Sequence, residues 1–309
     1  MNEARHHSIL SREEWQARMA QHLASAQTWT LPTLKRRAHQ VVHPVEDFLF
    51  TYYPFKLGKL EQWHPGYGVA LACTADERPA WMQKAYRWEN GQLFVDPNGA
   101  EEKEKARLFW ILDLLQRTAQ QPGHFGCFGL HEWAMVYRSE EVRHGKVAKL
   151  RLPMTEIEKL VESRPLRCSH YDAFRFFTPE ARPLNQLQPT LEGRAEQEQP
   201  GCIHANMDLY KWAFKCQHWI PGELLLDAFR LAKDLRHLDM RASPYELSAY
   251  GLTPVCIETI EGRRQYEEEQ RQLAERASIL RADLISALGK VCATFTSKRL
   301  PSGALVLGS

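Results

Sequence analysis

The chain of 309 residues has almost no excess of either charge, since 40 Lys and Arg stand against 38 Asp and Glu. A net charge of +2 is too small for a protein that wraps nucleic acid by charge alone, so any such contact must use a local patch. The sequence also lacks an apolar run of transmembrane length and a charged start followed by a signal-peptide core. We therefore expect a cytoplasmic protein with no membrane partner.

Several common motifs are missing as well. The sequence contains no GxxxxGK[ST] phosphate loop, no GxGxxG and no repeat at solenoid period, which disfavours nucleotide hydrolysis and dinucleotide binding. The segment HEWAM, which begins at His131, departs from the zinc-protease pattern HExxH because Met135 stands where the second His is required. Seven dispersed cysteines, an odd number, indicate reduced thiols and not a disulfide framework.

Helical patterns dominate what is present. Ser11, followed three residues later by Glu14, forms a capping-box pattern that predicts a helix over residues 11–26. Apolar residues at helical spacing predict further helices over 101–121, 207–220, 221–241 and 261–289. The plausible strands are short and lie at 68–72 and 92–96. The sequence predicts a mainly α protein, a compact helical domain with a small accessory β element.

Composition divides the chain into three parts. We expect an N-terminal helical segment over residues 1–40, a single mainly helical catalytic domain over 41–290, and a C-terminal tail over 291–309. Residues 179–200 contain four prolines and a run of Glu and Gln, which predicts a surface loop or connector.

Three segments place a Cys just before a His, with a carboxylate close behind. With 13 His in the chain, chance accounts for about one such Cys among seven, whereas three are found. The three sets are Cys127, His131 and Glu132; Cys168, His170 and Asp172; and Cys202, His204 and Asp208. The excess suggests that the segments converge on one site, although most free cysteines are simply small buried hydrophobes.

The histidines favour a metal hypothesis. Neutral imidazoles bind transition metals such as iron or zinc, and a neighbouring carboxylate can serve as a ligand or orient one. The candidate ligands are His131, His170, His204 and Asp208. The cofactor is thus one transition metal, or none.

The carboxylates allow a metal-free alternative. Glu132 and Asp172 stand beside aromatic residues in the sequence, and an acid held against apolar rings has a raised pKa that suits general acid or base catalysis. Asp239 is a third candidate. Asp172 could instead cap a short helix or pair with Arg175, because structural ion pairs also perturb acids.

Three polar residues downstream can be read in two ways. Arg241, close to the Ser243–Pro244 break, either belongs to a buried bridge that holds a turn or orients an anionic or planar ligand. Asn206 and Lys211 are candidate contacts to a phosphate or a base, although a solvated helix face is the commoner explanation.

Six segments together resemble a family of bacterial proteins labelled 3-methyladenine DNA glycosylase. They are HPVEDFLF, WHPGYG, FGCFGLHEWAMVY, RCSHYDAFRFFTPEARPLN, QPGCIHANMDLYKWA and LDMRASPY, and the resemblance extends from about His43 to the C-terminal helix. The chain lacks the helix-hairpin-helix signature of the well-known alkylation-repair glycosylases, an apolar-Pro-Gly-apolar-Gly turn followed by a catalytic Asp.

The resemblance implies a DNA-repair hydrolase that flips a base into an aromatic pocket and uses a carboxylate to cleave its N-glycosidic bond. The residues that would stack on the base are Trp133, Tyr137, Tyr171, Phe174, Phe176, Tyr210 and Trp212. Asp172, Glu132 or Asp239 would be the catalytic carboxylate, and Arg175, Lys211 and Arg241 would contact phosphates. The partner is then a nucleic acid, a nucleobase or a nucleoside.

Three functions therefore remain open from the sequence. The first is a hydrolase that cleaves the N-glycosidic bond of a modified base with a carboxylate in an aromatic pocket. The second is an iron or zinc enzyme with a His and carboxylate site that acts on a small molecule. The third is a helical protein that binds a ligand without chemistry, its ionisable groups serving only to orient the ligand.

Overall fold

The computed structural model describes residues 8–139 and 148–296. In this part of the chain, eleven α-helices surround the core and one small sheet lies at its side, which confirms the mainly α prediction. The helices are α1 (Arg12–Ala38), α2 (Phe48–Tyr52), α3 (Leu57–Leu60), α4 (Glu102–Gln120), α5 (Leu130–Ala134), α6 (Met154–Glu162), α7 (Tyr171–Phe174), α8 (Arg194–Gln197), α9 (Ile203–Lys215), α10 (Gly222–Arg241) and α11 (Ile260–Thr296).

The sheet has four strands in the order β1, β2, β4, β3. They are β1 (Ser8–Leu10), β2 (Val69–Ala72), β3 (Tyr86–Glu89) and β4 (Gln92–Val95), with β1 parallel to β2 and the other pairs antiparallel. The sequence predicted β2 and β4 and missed the other two. A turn at Asn90 and Gly91, both with positive φ, joins β3 to β4, and Asn-Gly is the commonest signal for such a hairpin.

Helix α1 begins as the capping box predicts. The Glu14 amide donates to Ser11 Oγ at 3.3 Å, and the Ser11 amide donates to the Glu14 carboxylate at 2.7 Å. The helix continues through Pro32 to Ala38, twelve residues beyond the predicted end. Trp15 and Ala26 are buried, so the N-terminal helix packs onto the rest of the protein through its apolar face.

The core is centred on α9 and α10, which lie against each other, while α11 packs on both and also contacts α4. Helix α9 is buried on most of its surface, including the polar side chains of Asn206 and Asp208. A polar group inside a core costs free energy unless it is paired, so these residues mark the place where the fold accommodates a site.

Two sequence expectations need correction. Residues 179–200 do not form a simple surface connector, because Arg194, Glu198 and Gln199 are buried and α8 lies within the segment. Helix α11 runs past the expected boundary at 290, and Val291 and Cys292 are buried in it. Residues 297–309 of the expected tail and residues 1–7 lie outside the described part of the chain.

Two glycines of α11 provide a matched test of its packing. A Cβ atom on Gly262 would lie 1.9 Å from the carbonyl oxygen of Cys256, whereas one on Gly289 would meet nothing within 4 Å. We expect Gly262→Ala to lower the free energy of unfolding by about 1–3 kcal/mol, and Gly289→Ala to leave it unchanged or raise it by up to about 1 kcal/mol. Urea unfolding of both variants checks this, and equal effects would contradict the close approach.

Glu46 ties the segment before α2 to α10. Its carboxylate lies 2.7 Å from His237 Nε2 and 2.7 Å from Lys233 Nζ, and the hydrogen bond to His237 lowers the pKa of Glu46 from 4.5 to about 2. Because the folded pKa is depressed, the stabilisation is present above the ordinary pKa and is lost as the pH falls from about 4.5 towards 2.

Glu46→Gln should therefore reduce the free energy of unfolding by on the order of 1 kcal/mol at pH 7 and by less at pH 3.5. Urea unfolding at both pH values measures the difference. The control is Glu267→Gln, which removes an exposed pair with Arg271. A Glu46→Gln effect of equal size at both pH values would show that the carboxylate charge is not what stabilises this contact.

Candidate functional site

The three Cys-His segments meet in the structure. Each segment leads into a helix, α5, α7 or α9. Together they contribute to the wall of a cavity of about 20 Å³. We call it the thiol cavity because Cys127, Cys168 and Cys202 all line it. Its other lining residues are His124, His131, Arg167, Ser169, Gln199, Ile203, His204, Tyr266 and Gln270. A volume of this size has room for about one water molecule or one ion.

A tight turn directs the first segment into the cavity. Phe128 and Gly129 both have positive φ, and a Cβ atom on Gly129 would lie 3.2 Å from the Ala242 Cβ and 3.4 Å from the Tyr266 ring. Glycine therefore satisfies both the left-handed backbone and the close approach of α11. The turn leads straight into α5, whose first two side chains after Leu130 are His131 and Glu132.

His131 is held on both sides of its ring. Its Nε2 lies 2.6 Å from Asp239 Oδ1, and its Nδ1 lies 3.6 Å from Cys127 Sγ. Burial opposes a charge on the ring, yet Asp239 holds the pKa of His131 well above its ordinary value. The His131 ring therefore carries the proton and forms a buried ion pair with the Asp239 carboxylate.

Arg236 completes this arrangement from α10. Its guanidinium Nη1 lies 2.9 Å from Glu132 Oε1 and 2.7 Å from Asp239 Oδ2, and all three side chains are at most 5% exposed. The guanidinium also lies over the Phe48 ring, 3.7 Å from its centroid. Each buried carboxylate therefore has a cationic partner, as burial of charge requires.

His204 stands in the middle of a row of three imidazoles. Its ring centroid lies 4.4 Å from that of His131 and 5.5 Å from that of His170. Burial and the neighbouring His131 hold the pKa of His204 well below its ordinary value, so its ring is neutral. A neutral imidazole that borders a cavity can donate an electron pair to a metal.

His170 lies at the other end of the row, between two carboxylates. Its Nε2 is 3.4 Å from Glu198 Oε1 and 3.5 Å from Asp208 Oδ2, but neither ring nitrogen has an aligned hydrogen-bond partner among the described residues. Burial raises the pKa of Glu198. Against the opposing effect of burial, His170 and Lys211 keep the pKa of Asp208 below its ordinary value.

Cations surround the carboxylates near His170. Arg194 Nε lies 3.1 Å from Glu198 Oε1, and Lys211 Nζ lies 3.1 Å from Asp208 Oδ2. Arg194 also hydrogen-bonds to Asp172, and the Tyr53 hydroxyl donates to Asp208 Oδ1 at 2.6 Å. Protein donors thus engage Asp172 and Asp208, whereas Glu198 Oε1 has an ion-pair neighbour but no aligned hydrogen-bond donor among the described residues.

Among the residues that the structure describes, two sets of side chains each bring three possible metal-donor atoms within 4.8 Å of one another. The His131 group consists of His131, His204 and Asp239, and the His170 group of His170, Glu198 and Asp208. Two histidines of the His131 group line the thiol cavity, whereas the His170 group is bordered by Arg194 and Lys211. A cation about 4 Å away would repel a metal by roughly 4 kcal/mol per unit of metal charge at an intermediate dielectric, and the His131 group has one such neighbour, Arg236, where the His170 group has two, so the His131 group is the better metal site.

The structure separates the sequence-predicted metal ligands. His131 and His204 belong to one group, whereas His170 and Asp208 belong to the other, so the four do not form a single mononuclear site. The predicted carboxylates are not free acids against aromatic rings. Lys211 and Arg194 outweigh burial and lower the pKa of Asp172, the opposite of the expected shift, because residues distant in sequence surround it.

The predicted stacking residues do not surround the thiol cavity. Trp133, Tyr137, Phe174, Tyr210 and Trp212 are buried in the core, Tyr171 and Phe176 are partly buried, and none of the seven lines the cavity. The Trp133 indole donates to the Ala242 carbonyl at 2.8 Å, and the Tyr137 hydroxyl donates to Glu162 at 2.7 Å. These contacts indicate structural roles.

The remaining predicted binding residues are also paired. Arg241 binds Glu269 at 2.6 Å and the Thr253 carbonyl at 3.1 Å, so it forms a bridge as one interpretation expected, but the two side chains are 24% and 30% exposed and the bridge is not buried. Asn206 donates to the Pro200 carbonyl at 2.9 Å and accepts from Arg281. Lys211 and Arg175 both contact Asp172, at 3.3 and 3.4 Å respectively.

Sequence reasoning missed several residues of the site. Glu198 is hidden in a run of Glu and Gln that is typical of a surface, and its burial depends on Arg194. Tyr266 and Gln270 could have been found, because they lie four residues apart on the apolar stripe of α11, followed by buried Ala274 and Ala277. A large polar side chain on such a stripe indicates a polar neighbour in the core.

Comparison of the chain with protein-family models, with curated proteins and with solved structures found no match. Within residues 8–139 and 148–296, no helix combines the length and the apolar composition that crossing a membrane demands. The site must therefore be interpreted from its own geometry.

Arg236 and Arg230 lie on the same helix and test the burial of charge. Arg236→Leu leaves Glu132 and Asp239 buried with one cation fewer, and we expect a loss of about 3–5 kcal/mol in the free energy of unfolding. Arg230→Leu removes an exposed pair with Asp227 and should cost less than about 1 kcal/mol. Urea unfolding measures both, and similar small losses would refute the importance of the buried bridge.

Proposed function

We propose that the protein is a metal-dependent hydrolase whose metal is held by His131, His204 and Asp239. One observation carries the proposal. The donor atoms of these three side chains lie within 4.8 Å of one another, and the two histidines line a cavity of about 20 Å³, which has room for about one ion or water molecule. Two imidazoles and one carboxylate form a ligand set that suits zinc or iron and leaves a position open.

The surrounding residues suit this role. Arg236 binds Asp239 Oδ2 and leaves Oδ1 directed at His131, so a metal at this position would replace the proton that now lies between His131 and Asp239. Glu132 shares the same guanidinium and helps to hold it in place. Residues that orient ligands in this way commonly decide metal affinity.

A metal with an open coordination position supplies a polarised water at neutral pH, which is the nucleophile of a hydrolytic reaction. The cavity is too small for a substrate, so the reacting bond must lie at its mouth. Exposed His124 and Arg167 and partly exposed Cys127 form that side of the cavity. Arg167 gives the mouth a positive charge that suits an anionic group of the substrate.

For the substrate we propose an N-glycosidic bond in a nucleoside or a nucleic acid, the class implied by the resemblance to proteins labelled 3-methyladenine DNA glycosylase. The metal-free route with Asp172, Glu132 or Asp239 as the acting carboxylate has less support, because each of these groups is paired with an Arg or Lys. A water on a metal held by His131, His204 and Asp239 would supply the nucleophile without requiring a free acid.

Metal analysis tests the proposal. Untagged wild-type protein should contain about one zinc or iron per chain, and His131→Ala and Asp239→Asn should each reduce metal affinity at least about 10-fold. His39→Ala, which removes an exposed His at the end of α1, should bind as the wild type does. Elemental analysis and release of base from modified nucleosides and DNA are the measurements.

The two parts of the proposal can fail separately. Wild-type protein with less than about a tenth of a metal atom per chain, and with no uptake on addition of zinc or iron, would eliminate the metal site. Stoichiometric metal without release of base from any of these substrates would retain the site and overturn the substrate class.

A further inference from the structure

His131 has two ring nitrogens, and the proposed metal uses one of them. The ion would lie between His131 Nε2 and Asp239 Oδ1, which are 2.6 Å apart. A metal on Nε2 takes the lone pair of that nitrogen, so the neutral ring keeps its proton on Nδ1. Because the His131 side chain is buried, this N–H group needs an acceptor inside the protein.

Cys127 provides an acceptor at the right place. Its Sγ lies 3.6 Å from His131 Nδ1, and a thiol sulfur accepts hydrogen bonds, although weakly. Among the described residues, no other hydrogen bond to this nitrogen is formed. The sulfur of Cys127 therefore faces the ring nitrogen that the metal does not use.

The turn before α5 fixes the position of the sulfur. The Leu130 amide donates to the Cys127 carbonyl at 2.9 Å, and Phe128 and Gly129 between them have φ of 47° and 73°. The turn closes directly onto the first residues of α5, which include His131. Cys127 and the imidazole are thus held together by the backbone that joins them.

The contact with sulfur also decides which atoms the ring presents to the ion. A half-turn about the Cβ–Cγ bond would place Cδ2 against Cys127 and Cε1 against Asp239, and neither carbon atom binds a metal. In the metal-free protein the hydrogen bond to Asp239 opposes this flip. Once a metal replaces that proton, the contact with Cys127 is the hydrogen bond that remains on the ring among the described residues.

The other two thiols of the cavity make different contacts. Cys168 Sγ donates to the His170 carbonyl at 3.6 Å. Neither Cys168 nor Cys202 hydrogen-bonds to an imidazole nitrogen within the described part of the chain. Lining the cavity is therefore not enough, and the contact with a ligand ring distinguishes Cys127.

We propose that Cys127 is a positioning residue for the metal, whose sulfur accepts a hydrogen bond from His131 Nδ1 and thereby leaves Nε2 as the nitrogen that binds the ion. This inference rests on the proposed metal-dependent function and adds a residue to its site. Partners of this kind fix the tautomer and the orientation of a metal-binding imidazole, and their loss commonly weakens metal binding about 10- to 100-fold.

The zinc affinity of the full-length protein tests the role of the sulfur. We expect Cys127→Ala to weaken zinc binding about 10-fold, and Cys127→Ser, whose hydroxyl accepts the same hydrogen bond, to stay within about 3-fold of the wild type. Cys168→Ala removes a sulfur from the same cavity and Cys256→Ala removes one outside it, so both should bind zinc as the wild type does. Competition with a chelator of known affinity measures every variant.

A second measurement needs no variant. In zinc-loaded wild-type protein with isotope-labelled histidine, heteronuclear NMR spectra distinguish a metal-bound ring nitrogen from a protonated one. We expect His131 to carry zinc on Nε2 and a proton on Nδ1. Zinc on Nδ1 would overturn the inference, because the sulfur would then face the metal.

The outcomes separate this inference from the proposed function. Zinc binding that Cys127→Ala leaves unchanged would overturn the positioning role and leave the metal-dependent function standing. Equal losses in Cys127→Ala and Cys127→Ser, or a loss of the same size in Cys168→Ala, would assign the effect to packing of the cavity and would also overturn the role. Absence of zinc binding by the wild type would overturn both.

Discussion

The site depends on the burial of one guanidinium. Arg236 lies inside the protein between Glu132 and Asp239, and without it two carboxylates would be buried side by side. Because an unpaired buried charge costs several kcal/mol, α5 and α10 are held in the one relative position where all three groups meet. That position directs Asp239 Oδ1 at His131 and thereby sets the orientation of the imidazole at the cavity.

A second network supports the opposite end of the histidine row. Arg194 on α8 and Lys211 on α9 neutralise carboxylates from three different segments, and Tyr53 adds a hydroxyl donor to Asp208. The row of His131, His204 and His170 thus lies between two buried ion networks. Such networks are most stable when every member is satisfied, and here some members are not: Arg236 Nε at one end of the row and both ring nitrogens of His170 at the other have no hydrogen-bond partner among the described residues.

The sequence was informative where the deciding interaction is local. The capping box at Ser11, the helix that begins after Pro221 and the recurrence of Cys before His all depend on residues within a few positions, and the structure contains both helices and brings the three segments together. The hairpin turn at Asn90 and Gly91 was not predicted, although its Asn-Gly signal is also local.

The sequence was uninformative where the deciding partner is distant. Asp172 has aromatic neighbours in the chain and burial raises its pKa, but Lys211, 39 residues away, and Arg194 outweigh burial and lower the pKa. Glu198 occurs in a polar run and is buried because Arg194 is buried with it. Neither outcome follows from spacing or composition, since both depend on how α7, α8 and α9 pack.

Net charge alone does not select the place of the metal. Near His131, two carboxylates face one guanidinium; near His170, three carboxylates face Arg194 and Lys211, so each region is left with one negative charge when its histidine is neutral and the half-exposed Arg175, which also contacts Asp172, is left out of the count. The two regions differ in which carboxylate oxygens the neighbouring cations and hydroxyl groups occupy. Asp239 gives Oδ2 to Arg236 and keeps Oδ1 for His131, whereas Asp208 uses Oδ1 for Tyr53 and Oδ2 for Lys211. An ion at the His131 group has a proton to displace, whereas one at the His170 group must compete with Tyr53 and Lys211 for Asp208 and finds donors without an aligned partner among the described residues only at Glu198 Oε1 and the His170 ring.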